Sequence, residues 1–127
     1  MRKQLDQNTA LSQLFAQSQR LADQSVVGAD VSGFDAQMIA IYVDSYTDGT
    51  TNFAVKESDD DSTYTDAPSE QVGSIPTIDS SDDTGWHLVP YTGSHPFVGL
   101  STSTSGTTNG ATWAAYVVKG EKARTTY

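Results

Sequence analysis

Apolar residues recur along this chain in two rhythms. In residues 1–24, Leu11, Leu14 and Phe15 stand at i, i+3 and i+4 in glutamine-rich sequence without glycine or proline. That spacing predicts a short helix capped by Asn8 or Thr9. Its apolar face is too narrow to hold a helix in isolation. The segment therefore reads as an N-terminal arm, partly helical, that a partner orders.

From Ser25 onward the rhythm changes to short runs broken by Gly, Asp, Ser, Thr and Pro. Residues 36–43 (AQMIAIYV) form a near-continuous apolar run, which fits a strand buried on both faces. Thr47-Asp48-Gly49-Thr50 supplies a turn, because glycine after aspartate accepts positive φ. Beyond it Phe53 and Val55 alternate with Asn52, Ala54 and Lys56, and Ser58-Asp59-Asp60-Asp61-Ser62 turns the chain again toward residues 63–65. These pieces are expected to form one meander.

The second half repeats the pattern. Trp86 and Leu88 alternate with His87, Val89 and Tyr91, and Pro90 puts this strand at an edge or at its end. Residues 92–96 turn the chain into 97–104, and residues 106–110 turn it into 111–119. There Trp113, Ala115 and Val117 oppose Thr112, Ala114, Tyr116 and Val118. Several strands at about 8–12-residue spacing predict an all-β fold: a single antiparallel β-sandwich or jelly-roll-like barrel. The expected division is 1–24 arm, 25–120 β-sandwich domain and 121–127 basic C-terminal tail.

Charge sharpens this picture. The chain has 127 residues, one domain's worth, with sixteen acids against seven bases and a net charge of −9. Residues 1–20 carry Arg2, Lys3 and Arg20 against Asp6, and residues 119–127 carry Lys119, Lys122 and Arg124 against Glu121. Between them stands a single base, Lys56. Such a body is a poor partner for a nucleic-acid backbone. The basic ends fit an acidic partner, or the acidic body of a neighbouring copy. No run approaches the roughly 20 apolar residues of a membrane span, and no secretory signal is expected.

The search for chemistry is brief. With no cysteine, a disulfide, a thiolate nucleophile and a Cys-ligated metal are excluded. His87 and His95 are placed to meet across a hairpin, with Asp82 or Asp83 as the nearest third ligand, yet solvated turn residues are the expectation. Gly99-Leu100-Ser101-Thr102-Ser103 lacks the closing glycine of a nucleophile elbow. An EF-hand register from Asp59 places Tyr64 where glycine is required, leaving a looser calcium turn on Asp59, Asp61 and Asp66 as the weaker alternative to a solvated turn. Trp86 and Trp113 fall inside strands and are expected in the core. No catalytic residue, metal ligand or cofactor site is expected.

The order of several short motifs carries a resemblance. Ala29-Asp30-Val31 and Gly33-Phe34-Asp35 precede the MIAIYV run and Thr47-Asp48-Gly49-Thr50. Glu57-Ser58-Asp59-Asp60, Ser62-Thr63-Tyr64-Thr65 and Gly73-Ser74-Ile75-Pro76 follow. Tyr91-Thr92-Gly93, Gly106-Thr107-Thr108 and Val117-Val118-Lys119-Gly120 close the series. This pattern resembles small virion proteins of tailed bacteriophages, commonly encoded beside the major capsid protein. Where that family continues with a basic pair and a Tyr-Val-Arg-Val strand, this chain has residues 94–100 (SHPFVGL).

The resemblance implies a non-enzymatic structural virion protein, a decoration or cement protein that stabilises the capsid exterior by bridging capsid subunits. Its partners would be the major capsid protein and copies of itself, as a homotrimer, with neither nucleic acid nor membrane. It would be made in the host cytoplasm. A tail, neck or baseplate component is the alternative, and a carbohydrate- or calcium-binding adhesion module is an alternative of another class. The residues expected at capsid or subunit contacts are Arg2, Lys3, Leu11, Leu14, Phe15, Arg20, Lys122 and Arg124.

Overall fold

A computed structural model describes the backbone of residues 9–122 and the side chains of residues 11–34 and 37–120. Among the described residues nine strands follow in order: β1 (Thr9–Arg20), β2 (Gln24–Asp30), β3 (Phe34–Tyr46), β4 (Thr50–Ser58), β5 (Thr65–Asp66), β6 (Thr77–Ile78), β7 (Gly85–Tyr91), β8 (Phe97–Ser105) and β9 (Ala111–Lys122). They form two antiparallel sheets. Sheet A has the order β1-β9-β3-β7; sheet B has the order β2-β8-β4-β5, with β6 also paired to β4. The expected antiparallel sandwich is the observed architecture.

The connectivity differs from the expected meander. Consecutive long strands pass from one sheet to the other, so the Asp48-Gly49 turn joins β3 in sheet A to β4 in sheet B instead of closing a hairpin. Gly49 has the expected positive φ of 78°. Alternation states which side chains point inward, but a turn at a sheet boundary and a turn within a hairpin use the same residues.

The core lies between the sheets. Ile39, Ile41 and Val43 of β3, Trp113, Ala115 and Val117 of β9, and Val89 and Tyr91 of β7 meet Phe53 and Val55 of β4 and Val98 and Leu100 of β8. Trp113 is fully buried, with the rings of Phe15 and Phe53 edge-on at 5.2 and 5.0 Å between centroids.

Residues 9–20 are a twelve-residue strand, which corrects the helical reading of the arm. Register shifts between Gln13 and Phe15 and between Phe15 and Ser18 bulge β1. A bulge breaks the two-residue alternation. It lets the consecutive Leu14 and Phe15 both enter the core while Leu11 stays outside, and so produces the spacing that resembles a helical face.

One end of the sandwich is tied by Asp48. Its Oδ1 accepts hydrogen bonds from the amides of Thr108, Asn109 and Gly110 at 2.9, 3.0 and 2.8 Å. In return the Gly110 carbonyl accepts from the amides of Thr47 and Asp48. Gly110 has φ of 68°, and a Cβ there would collide with the Arg20 carbonyl, so glycine is required. The three amides hold the Asp48 carboxyl below its ordinary range.

Two predictions follow from this packing. Trp113→Ala is expected to lower unfolding free energy by about 3–5 kcal/mol in urea titrations, whereas exposed Trp86→Ala stays within about 1 kcal/mol. For Asp48→Ala, a lower melting temperature than wild type is expected at neutral pH. Because the folded carboxyl titrates below its unfolded counterpart, that difference is present above the ordinary aspartate value of about 3.9 and shrinks as pH falls through the depressed folded value. A difference independent of pH from neutral to strongly acid would contradict the assignment.

Candidate assembly surface

The two sheets present unlike outer faces. Sheet B shows solvent Asn52 and Lys56 from β4 beside Ser101 and Ser103 from β8, with only Ala54 between them. That is the usual polar outside of an antiparallel sandwich. Sheet A shows three uncharged, mostly apolar rows. Leu11, Val118, Met38 and Pro90 make the first; Gln13, Tyr116, Ala40 and Leu88 the second; Ala114, Tyr42 and Trp86 the third.

Alternation alone produces this surface. β3 places Ile39, Ile41 and Val43 inside, so Met38, Ala40 and Tyr42 must face out, and β9 and β7 repeat the division. Leu11, Leu88 and Trp86 are 65, 57 and 59% exposed, while small Ala40 and Ala114 lie buried between taller neighbours. The Trp86 ring is tilted against Tyr42 at 4.9 Å and Tyr116 at 6.3 Å. No charged side chain interrupts the three rows; Asp44 lies beyond Tyr42, at one end of the surface. Contiguous exposed apolar surface of roughly a few hundred Å² is often functional, which makes this face the candidate assembly surface.

The structure separates the residues expected at contacts. Leu11 is on this surface. Leu14 and Phe15 are inside the core, which removes them from any docking surface of the folded domain. Arg20 is a packing residue: its guanidinium lies over the Phe15 and Trp113 rings at 5.2 and 5.0 Å and donates to the Ala16 carbonyl. Arg2, Lys3 and Arg124 lie outside the described residues, as does the side chain of Lys122, the last residue of β9. The described start of β1 and end of β9 lie side by side, with Thr9 paired to Gly120.

Trp86 corrects the expectation that both tryptophans are core. The sequence signal was available: Trp86 and Leu88 alternate with Val89 and Tyr91, and only one set can face the second sheet.

A second cluster joins the sheets. The Tyr91 hydroxyl donates to Glu57 Oε1 at 2.8 Å, linking the end of β7 to the end of β4 through a buried carboxylate. Burial and the Glu57 carboxylate push the Tyr91 hydroxyl well above the ordinary tyrosine range. His95 Nδ1 lies 3.1 Å from the same carboxylate oxygen, and its Nε2 lies 3.7 Å from Asp59. His87, at the other end of β7, contacts the Asp83 carbonyl at 2.6 Å, so the two histidines do not meet. The carboxylates considered for calcium are engaged separately: Asp59 beside His95, Asp61 accepting from Tyr64, Asp66 paired with Lys56 at 2.6 Å. Among the described residues no group of three or more His, Cys, Asp or Glu is arranged to hold a metal ion.

These features define a class: a small antiparallel β-sandwich with one polar and one apolar outer face. No protein-family model matches the chain, and no curated protein matches it. Among solved structures it is similar to the SPBc2 prophage-derived protein YomS, at 15% identity and a TM-score of 0.52 over 87% of this chain and 93% of that one. It also matches the CBM22-1–GH10 modules of Clostridium thermocellum xylanase 10B, complexed with xylohexaose, at 15% identity and TM-score 0.45, covering 94% of this chain and 25% of that one. A Bacillus endospore appendage protein matches at 12% identity and TM-score 0.44, over 91% and 90%. The first of these establishes a shared fold; the other two fall below the level at which a likeness carries weight.

The Tyr91–Glu57 contact is testable. Tyr91→Phe removes the hydroxyl donor to the buried Glu57 carboxylate and leaves His95 beside it, and is expected to cost about 1 kcal/mol in urea unfolding. The cost should fall sharply when Glu57 is already Leu, and an undiminished cost would assign it to packing instead.

Proposed function

We propose that this protein is a structural component of a tailed-bacteriophage particle, a decoration protein that seats on the capsid exterior and stabilises the shell by bridging its subunits. The observation that carries this reading is the uncharged apolar face of sheet A on an otherwise acidic domain. A rigid sandwich with a sheet apolar on both sides has the form of a part whose second cover arrives on assembly. The motif order Thr47-Asp48-Gly49-Thr50, Glu57-Ser58-Asp59-Asp60 and Tyr91-Thr92-Gly93 supports placing that assembly in a phage head. The fold shared with a prophage-derived protein is in keeping with it.

In this reading the domain performs no catalytic step. Its work is contact area, repeated over many copies. The major capsid protein is the shell partner. The basic ends of the chain add an electrostatic attraction that guides encounter more than it tightens binding.

The test is occupancy on purified particles. Leu88→Asp puts a charge on an exposed strand position, where the expected change in domain stability is within about 0.5 kcal/mol. Quantified by mass spectrometry of particles assembled with each version, wild type is expected at hundreds of copies per head, on the scale of shell subunits, and Leu88→Asp at less than a tenth of that. Wild-type copies confined to a tail or a single vertex would replace the decoration reading with a tail or neck role. Absence from particles, together with saturable glycan binding abolished by Trp86→Ala, would replace it with a carbohydrate-binding role.

A further inference from the structure

We infer that Asn109 is a self-modification site: its side-chain amide closes onto the main-chain nitrogen of Gly110 when Asp48 releases that nitrogen. The product carries one more negative charge and an altered main chain. The reaction is independent of what the domain is assembled into.

The chemistry follows from the pair of residues. Of the three asparagines, Asn8, Asn52 and Asn109, only Asn109 precedes a glycine. Without a Cβ, glycine leaves its nitrogen unhindered. That nitrogen gives up its proton and attacks Asn109 Cγ. A carbon–nitrogen bond forms, and the side-chain nitrogen leaves with a proton as ammonia. The five-membered imide then takes up water, the one co-reactant. Opening between Cγ and the ring nitrogen gives aspartate. Opening at the main-chain carbonyl gives isoaspartate, in which the chain runs through Cγ.

The fold restrains both partners. The Gly110 amide donates to Asp48 Oδ1 at 2.8 Å, and the Asn109 amide donates to the two oxygens of the same carboxylate at 3.0 and 3.3 Å. Hydrogen bonds to an ionised acceptor are among the strong ones. Removing the Gly110 proton would set an anionic nitrogen against the carboxylate, and like charges at that separation oppose it. Ring closure also needs rotation within Asn109, whose carbonyl accepts from Gln19 Nε2 at 2.8 Å. The Gly110 carbonyl is held by the amides of Thr47 and Asp48, and Thr107 Oγ1 ties the same turn to the Leu21 carbonyl at 2.7 Å. Asn109 is exposed, so water reaches its amide once the turn opens.

Conversion is one-way and acts on the tie that restrains it. Isoaspartate adds one carbon to the main chain between the Asn109 and Gly110 amides, so these donors no longer match one carboxylate. A new carboxylate also stands near Asp48. An aged chain is therefore more acidic and more loosely joined at this end of the sandwich.

Peptide mapping with mass spectrometry separates the asparaginyl, aspartyl and isoaspartyl forms in the purified full-length chain, held at mildly alkaline pH. A hydrogen bond to a charged acceptor corresponds to a factor of about ten or more. Native wild type is thus expected to convert at least about tenfold more slowly than the same chain unfolded in urea, and native Asp48→Ala to lose most of that protection. Wild type brought by low urea to the unfolding free energy of Asp48→Ala should keep it. Asn109→Ser should abolish the signal with an unchanged melting temperature. The isoaspartyl form, isolated by anion exchange, should melt below its parent.

Native wild type converting as fast as the unfolded chain would overturn the inference. So would Asp48→Ala converting as slowly as wild type, or an isoaspartyl form that melts with its parent. Matched wild type as fast as Asp48→Ala would make global unfolding the gate and overturn it as well. If Asp48→Ala does not fold, Asp48→Ser, which keeps an acceptor without the charge, decides: a native rate above wild type upholds the restraint, and an equal rate removes it.

Discussion

The structure depends on a central pair of strands, β3 and β9, that are apolar on both sides. Their inward residues, from Ile39 to Val43 and from Ala111 to Val117, fill the space between the sheets and surround Trp113. Their outward residues are little more polar. An antiparallel sheet with one buried and one wet face normally alternates apolar with polar. Here the alternation is apolar with apolar, and the fold of one chain can cover only one side. The uncovered side is thus a direct consequence of the same strands that make the core.

The surrounding elements accommodate this pair. β1 covers one edge of the sheet with a doubly bulged strand, and bulges discourage further edge pairing. The other edge, β7, contains Pro90, whose missing amide closes one position to a ladder, and is partly covered where Val72 bridges Tyr91. With both edges blunted, extension of sheet A by a further strand is disfavoured. Asp48 at one end and the Tyr91–Glu57 contact at the other join the sheets with polar links, so packing between them does not rely on apolar burial alone.

Charge and apolar surface are segregated. Most of the described acids sit on turns and on the rim, as at Asp59 to Asp61 and at Asp82; Glu57 is buried, and Asp44 stands at the end of the sheet A face, whose three rows carry none. Such a division keeps repulsive charge off the outer face of sheet A.

Most of the strand inventory was legible in the sequence, because alternation is a local property of the backbone. The run at 36–43 is a strand as expected, but it is buried on one face and not on both: Ile39, Ile41 and Val43 are inside, while Met38 and Tyr42 stay partly exposed; Thr112 to Val118 divided as expected into an inner and an outer set. The strand at 9–20 was not legible, since a bulge and a helical turn produce the same local spacing. Partnership was not legible either: local alternation does not say whether the chain after Gly49 pairs with the strand before it or crosses to the other sheet. Trp86 faces outward because β7 pairs with β3 in sheet A, where its inner positions are Val89 and Tyr91. By itself the sequence determined an acidic all-β domain and which residues share a strand face; only the tertiary structure decided which face is inside, because burial depends on what lies opposite.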